Sequence, residues 1–515
     1  MNTSRRQKWM DGKRRIEHRL KRQPWERTGL SGAHPVLTAS NIQYEMAERT
    51  SAISAGGIGA MHRLAQRTGL ASAIDHRVHV LKRHLPYHES DHVLSIAYNV
   101  LAGGRCLEDL ELRRTDEVFL DALGARRIPD PTTAGDFCRR FDADSIEALM
   151  TATNEARERV WRQQPDAFFE RAVIDADGTL AETTGERKEG MDIAYDGTWG
   201  YHPLVVSLAN TQEPLYLVNR SANRPSHEGA SERFDQAIAL CRRAGFRSIL
   251  LRGDTDFSQT RHLDRWDGAN VTFVFGMPQS RGLNEMAANL PKSTWTPLVR
   301  APRYDVKTRE RARRENVKER IVVERGFENI RLDAESVASF EYQPTACKES
   351  YRVVALLKNL SRLRGEELLI DDVRTFYFIT NDRTSTDDEI VRQANERCNQ
   401  ENLHAQLKSG TGAMSMPVDT LNANWAYMVM AGLAWSLKAW FALLLPETNR
   451  TSKPQRAEKG RLLTMEFRTF VNAMIMMPCQ IVRGARRITY RLLNWNRWQP
   501  ALFRVLRVLA HPLRP

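Results

Sequence analysis

The chain has 515 residues, 42% of them hydrophobic and 27% charged, with a formal net charge of +13. That length needs several cores, the composition excludes a disordered chain, and the positive balance points to a polyanionic partner. Six cysteines, the closest pair being Cys106 and Cys138, exclude a CxxC zinc site and a disulfide framework and suit a reducing cytoplasm.

The charge is placed unevenly. Residues 1–44 form a basic arm, and its opening, MNTSRRQKWMDGKRR, lacks the apolar stretch of a signal peptide. Residues 45–160 read as short helices, because GAMHRLAQRTGL, ESDHVLSIAYNVLAGG, LEDLELRR and DEVFLDALG repeat apolar residues three and four apart. In DPTTAGDFCRRFD, Pro131 and Thr132 open a helix that exposes Arg139 and Arg140. Turn, cap and basic helix in that order permit a helix-turn-helix-like, DNA-binding domain.

From residue 171 the period changes. RAVIDADGT, HPLVVSLAN, EPLYLVNR, RSILLRGD and VTFVFG are apolar runs of strand length, with helical SERFDQAIALCRRAGF and SQTRHLDRW between them. Two antiparallel returns followed by strand–helix–strand units describe a mixed α/β sheet over residues 161–280. Residues 281–375 interrupt it as an insertion with a basic helix, RERARRENVKER, and strands IVVER and YRVVALLKN. TFYFITN returns to the sheet and opens a second part, residues 376–445, that carries the helix of Glu401. Trp425–Leu445 is long enough to cross a membrane, but Lys438 lies inside it, so it reads as a buried core helix. Residues 446–515 read as a basic helical region and the candidate contact between two copies.

Three features fail as sites. His84, His88 and His92 recur every fourth residue, but Pro86 interrupts them and no acidic cluster accompanies them. SAGGIGA at 54–60 lacks the Lys-Ser/Thr of a phosphate loop, and no GxSxG elbow is present. Acidic pairs remain: Asp175 with Asp177, and Asp254 with Asp256, each near a strand end, where open α/β sheets bind ligands. Asp177 and Asp254, with Glu401 from a helix, would supply oxygen ligands for two Mg²⁺ ions, Asp175 and Asp256 being the rivals within each pair. Arg397, four residues before Glu401, and Lys408, seven after it, share its helix face and would hold phosphate.

The order D-G-T at 177–179, R-G-D at 252–254 and R-x3-E-x6-K at 397–408 resembles the DDE transposases of bacterial insertion sequences. The similarity is to the group 1 DDE transposases, related to the group whose third acid lies in a Tyr-Arg-Glu-Lys motif. GTWGYHPLVVSLANTQEPLYLVNRSANRPSHEGA is also similar to that family, and places Arg220 and Arg224 as DNA-binding candidates. The motif's tyrosine falls at Ala394. The resemblance implies an RNase H-like mixed sheet core interrupted by a β-rich insertion, with all-helical N-terminal and C-terminal regions. It implies cleavage of double-stranded DNA at element terminal repeats, attack of the freed 3′-hydroxyl on target DNA, Mg²⁺ or substituting Mn²⁺, and a homodimer on DNA. Related enzymes pass through a DNA hairpin, so Trp295 is a candidate to stack a flipped base, a core tryptophan being the alternative. Two other functions compete: a catalytically silent, transposase-derived DNA-binding regulator, and a two-carboxylate sugar hydrolase, which would need no basic ends.

Overall fold

The computed structural model describes residues 14, 44, 50–299, 317–365, 367–447, 452–484 and 487–514. Most of the basic arm, and residues 309–316 of the basic helix expected in the insertion, lie outside the described residues.

The centre is a nine-stranded mixed sheet. Its strands are β1 (Arg171–Gly178), β2 (Leu204–Leu208), β3 (Glu213–Val218), β4 (Ser248–Gly253), β5 (Thr272–Met277), β6 (Thr296–Pro297), β7 (Glu328–Tyr342), β8 (Tyr351–Arg364) and β9 (Glu367–Thr380), in the spatial order β6-β7-β8-β9-β5-β4-β1-β2-β3. β1 runs parallel to β4 and β4 to β5, whereas β2 and β3 return antiparallel. The central strands are apolar runs because both faces are covered: the successive residues Leu204, Val205 and Val206 of β2 are all fully buried.

Helices close the layers: α1 (Ala143–Trp161), α2 (Ala230–Ala244), α3 (Asp387–Asn395), α4 (Cys398–Ala405) and α5 (Leu421–Leu443). Asp142 caps α1 by accepting from the Ser145 N–H, and Thr420 caps α5 by accepting from Ala423. α5 is apolar all round because it runs through the interior, packed against α1, β3 and the N-terminal helices. Its Lys438 is fully buried, donates to the Leu463 carbonyl at 2.8 Å and lies 3.7 Å from the centre of the Trp435 ring.

Three expectations need correction. IVVER is not a strand: residues 321–324 complete the helix Val317–Glu324, where Arg320 and Glu324 pair across one turn at 3.6 Å. The chain turns at Gly326, whose φ of +62° suits glycine, and only then enters β7, whose charged alternation hides it from an apolar search. The C-terminal region is not all-helical: Cys479–Arg483 and Ile488–Leu492 form a hairpin that pairs with Ala52–Ile53. The N-terminal region therefore holds a strand as well. Within the stretch expected as an insertion, β7 and β8 continue the central sheet through β9 and β5.

The histidine run is divided. His88 opens the helix Glu89–Leu101, His84 lies 3.4 Å from Glu89, and His92 is buried and stacked on Phe137 with ring centres 4.1 Å apart. Burial, then Arg140, pushes His92 down to about 4.

Candidate active site

β1 alternates, so Asp175 and Asp177 leave the same face, two residues apart. Their surroundings separate them. Asp175 is 1% exposed and accepts from Arg252 Nε and Nη2 at 2.7 and 2.8 Å, a closed bidentate pair. Arg252 also donates to the Gln393 carbonyl at 2.9 Å, which ties β4 to the end of α3.

Asp177 lies one step nearer the strand end, where Gly178 lets His202 approach. A Cβ on that glycine would stand 2.6 Å from His202 Nε2. Asp254 follows the end of β4, next to β1 in the sheet, and its Oδ1 accepts from the Asp256 N–H at 3.0 Å. Its Oδ2 faces Arg397. Between the two stands Arg397, with Nη1 2.9 Å from Asp177 Oδ2 and Nη2 3.8 Å from Asp254 Oδ2.

Burial pushes Asp177 up to about 6, with Arg397 opposing and Asp254 reinforcing the rise, and it raises Asp254 as well. Two half-buried carboxylates turned toward one cationic group, each harder to ionise than usual, form a hard-oxygen donor set suited to a divalent cation.

Arg397 was expected to hold phosphate beside Glu401; here its partners are the aspartates. Glu401 sits one turn along α4, exposed, about 40° round the helix from Arg397. Among the described residues no group of three His, Cys, Asp or Glu is gathered as a metal site. Gln400, the neighbour of Glu401, turns to the sheet, donates to the Val205 carbonyl at 3.0 Å and accepts from Ser207. Lys408 is exposed, in a π-helical turn, Gln406–Gly410, that continues α4.

The other candidates scatter. Arg139 ends its helix, exposed as expected, and pairs with Asp419 at 2.7 Å and Asp136 at 2.9 Å; Arg140 follows it, also exposed. Arg224 is exposed and pairs with Glu228 at 3.3 Å. Arg220 is no surface contact: it is 7% exposed, and its guanidinium donates to the carbonyls of His202, Pro225, Ser226 and Glu228 because that loop has few backbone partners of its own. Trp295 is half-buried against the main core.

Sequence reasoning missed Arg252, Gln400, His202 and His404. Arg252 carried a signal, standing two residues before Asp254 in R-G-D. His404 is 6% exposed with Nε2 unpartnered, pushed down to about 3 first by burial and then by Lys408, Arg397 and His202.

The sequence model of the family described as "Transposase DDE domain group 1" matches residues 37–512. The chain belongs to this DDE transposase family. No curated protein matches its sequence. A cryo-EM structure of the piggyBac transposase synaptic complex with hairpin DNA is similar at 10% identity over 82% of this chain and 81% of that chain, with a TM-score of 0.35. DDE transposases move DNA and generally use a divalent metal.

Proposed function

We propose that this DDE transposase binds the ends of a bacterial insertion sequence, cleaves phosphodiester bonds there and joins the 3′-hydroxyl ends to target DNA. The observation that carries the reading is the convergence of Asp177 and Asp254 from adjacent strand ends on one cationic group. On this reading the sheet is an RNase H-like core and residues 281–375 its insertion. Asp177 and Asp254, joined by Glu401 from the helix that follows Arg397, would hold Mg²⁺, with Mn²⁺ as a substitute. Bound ions would activate the attacking oxygen and stabilise the leaving one.

The chain's own residues do the rest. Asp175, closed by Arg252, fixes the strand end and takes no ligand. Exposed Lys408 and Arg140 offer charge to the DNA backbone, where each phosphate contact adds salt-dependent affinity. The protein works in the cytoplasm as a homodimer that joins two element ends.

The test is a labelled element end incubated with Mg²⁺ and wild type, Asp177→Asn or Asp254→Asn. Replacing an outer-shell partner of a metal ligand costs about 10–100-fold, so loss of a ligand itself should slow cleavage by more than about a hundredfold. Wild-type rates in both variants would refute the assignment. Tight duplex binding with no cleavage by wild type would favour a silent regulator.

A further inference from the structure

Two arginine–aspartate pairs stand side by side at the strand ends, and they are built differently. Arg252 and Asp175 are nearly inaccessible, with side chains 4% and 1% exposed, and are joined through two short bonds. Arg397 makes one short bond to Asp177, its approach to Asp254 is 3.8 Å, and its side chain is 21% exposed. The first pair is locked. The second can be exchanged, because a single contact at a solvent-reachable site loses little when another anion takes the guanidinium.

The position of Arg397 matters as much as its bonds. It caps α4 at the junction with α3, and Arg252 holds the preceding Gln393 carbonyl, so the backbone that presents Arg397 is anchored while its side chain is not. The oxygens it reaches, Asp177 Oδ2 and Asp254 Oδ2, are those a divalent cation shared by the two carboxylates would use. A guanidinium and such a cation carry like charge and compete for the same lone pairs. A DNA phosphate offers Arg397 a second anion of matching fork geometry.

We propose that Arg397 is the internal counter-cation of the Asp177–Asp254 pair, and that a DNA phosphate draws it off, so that DNA and divalent cation load cooperatively. The inference rests on the metal-binding reading of the two aspartates. By linkage, DNA must tighten cation binding by the same factor that the cation tightens DNA binding. A free chain in which Arg397 guards the carboxylates thereby stays poorly loaded until the duplex arrives.

The experiment is a Mn²⁺ titration of the full chain, with free Mn²⁺ followed by electron paramagnetic resonance, with and without a mixed-sequence DNA duplex. Without DNA, Arg397→Ala should bind Mn²⁺ at least about fivefold more tightly than wild type, the lower end of typical coupling factors. In wild type the duplex should tighten Mn²⁺ binding by a similar factor, and in Arg397→Ala that factor should fall to about one. Arg397→Lys, which keeps the charge but not the fork, should lie between them, and it serves if the alanine variant does not fold by circular dichroism. Equal Mn²⁺ affinity in wild type and a folded Arg397→Ala, with Asp177→Asn and Asp254→Asn still weakening it, would overturn this inference alone. Unchanged binding in both aspartate variants would instead overturn the metal-site reading beneath it.

Discussion

Asp175 and Asp177 share a strand face and differ only in what meets them. Asp175 balances a buried guanidinium, so Asp175→Ala leaves Arg252 inside the protein with only the longer contact to the exposed Glu396 at 3.5 Å and should cost about 3 kcal/mol, measured by urea unfolding. Asp177 behaves in the opposite sense. Its folded pKa of about 6 lies above the ordinary carboxylate value, so its contribution to stability is full in acid and is lost as pH rises through about 6. The difference of about two pKa units corresponds to about 3 kcal/mol. Asp177→Asn should therefore be more stable than wild type at pH 8 by up to that amount and nearly equal to it at pH 4. Urea unfolding at the two pH values checks this, and a variant less stable than wild type at pH 8 would refute it.

At the scale of elements, Glu213 joins three of them. It begins β3, is fully buried, and accepts from Arg157 and Trp161 of α1 and from Trp440 of α5 at 3.0, 3.1 and 2.7 Å. Arg157 also donates to Asn154, the Pro214 carbonyl and Ser436, so the guanidinium is shared among the same elements. Such a network stabilises only when complete. Glu213→Ala strands a buried cation and two indole N–H groups, and should cost about 3–5 kcal/mol in urea unfolding while both active-site aspartates keep their places. Retention of wild-type stability would show that the network closes through other partners.

For the whole molecule, the ends of the described chain are stitched together. Arg63 and Arg67 both donate to the Leu509 carbonyl, at 3.1 and 2.9 Å, and Ala52–Ile53 pairs with the strand Cys479–Arg483. The segment read as a contact between two copies thus spends much of its surface on the N-terminal helices of its own chain. Leu502, Val505 and Leu509 are buried in that contact. Burial of one such side chain is worth about 1.5–3 kcal/mol, so truncation before residue 499 should remove on the order of 5 kcal/mol. The measurement is amide hydrogen exchange across Ile58–Arg67, which should accelerate strongly in the truncated chain; unchanged protection would show that the helix stands alone.

The sequence by itself determined the local elements and singled out the candidate carboxylates. Apolar runs at 171–178, 204–208, 248–253 and 272–277 became adjoining strands, and the unbroken apolar stretch around Lys438 became an interior helix, because burial on every side leaves no alternation to misread. Asp177 and Asp254 stood out as candidates because a carboxylate closing a buried strand demands a partner, and both face Arg397. IVVER and the hairpin at Cys479–Leu492 were not legible, since short segments of mixed polarity take helix or strand according to the neighbours they meet, and β7 was hidden by its charges. Only the tertiary structure decided which aspartate Arg252 would close off, that Arg220 would be spent on a loop, and that Arg397 would turn to the aspartates. Spacing along a chain fixes which residues share a face, but the partner across the gap belongs to another element, and long-range packing alone brings it there.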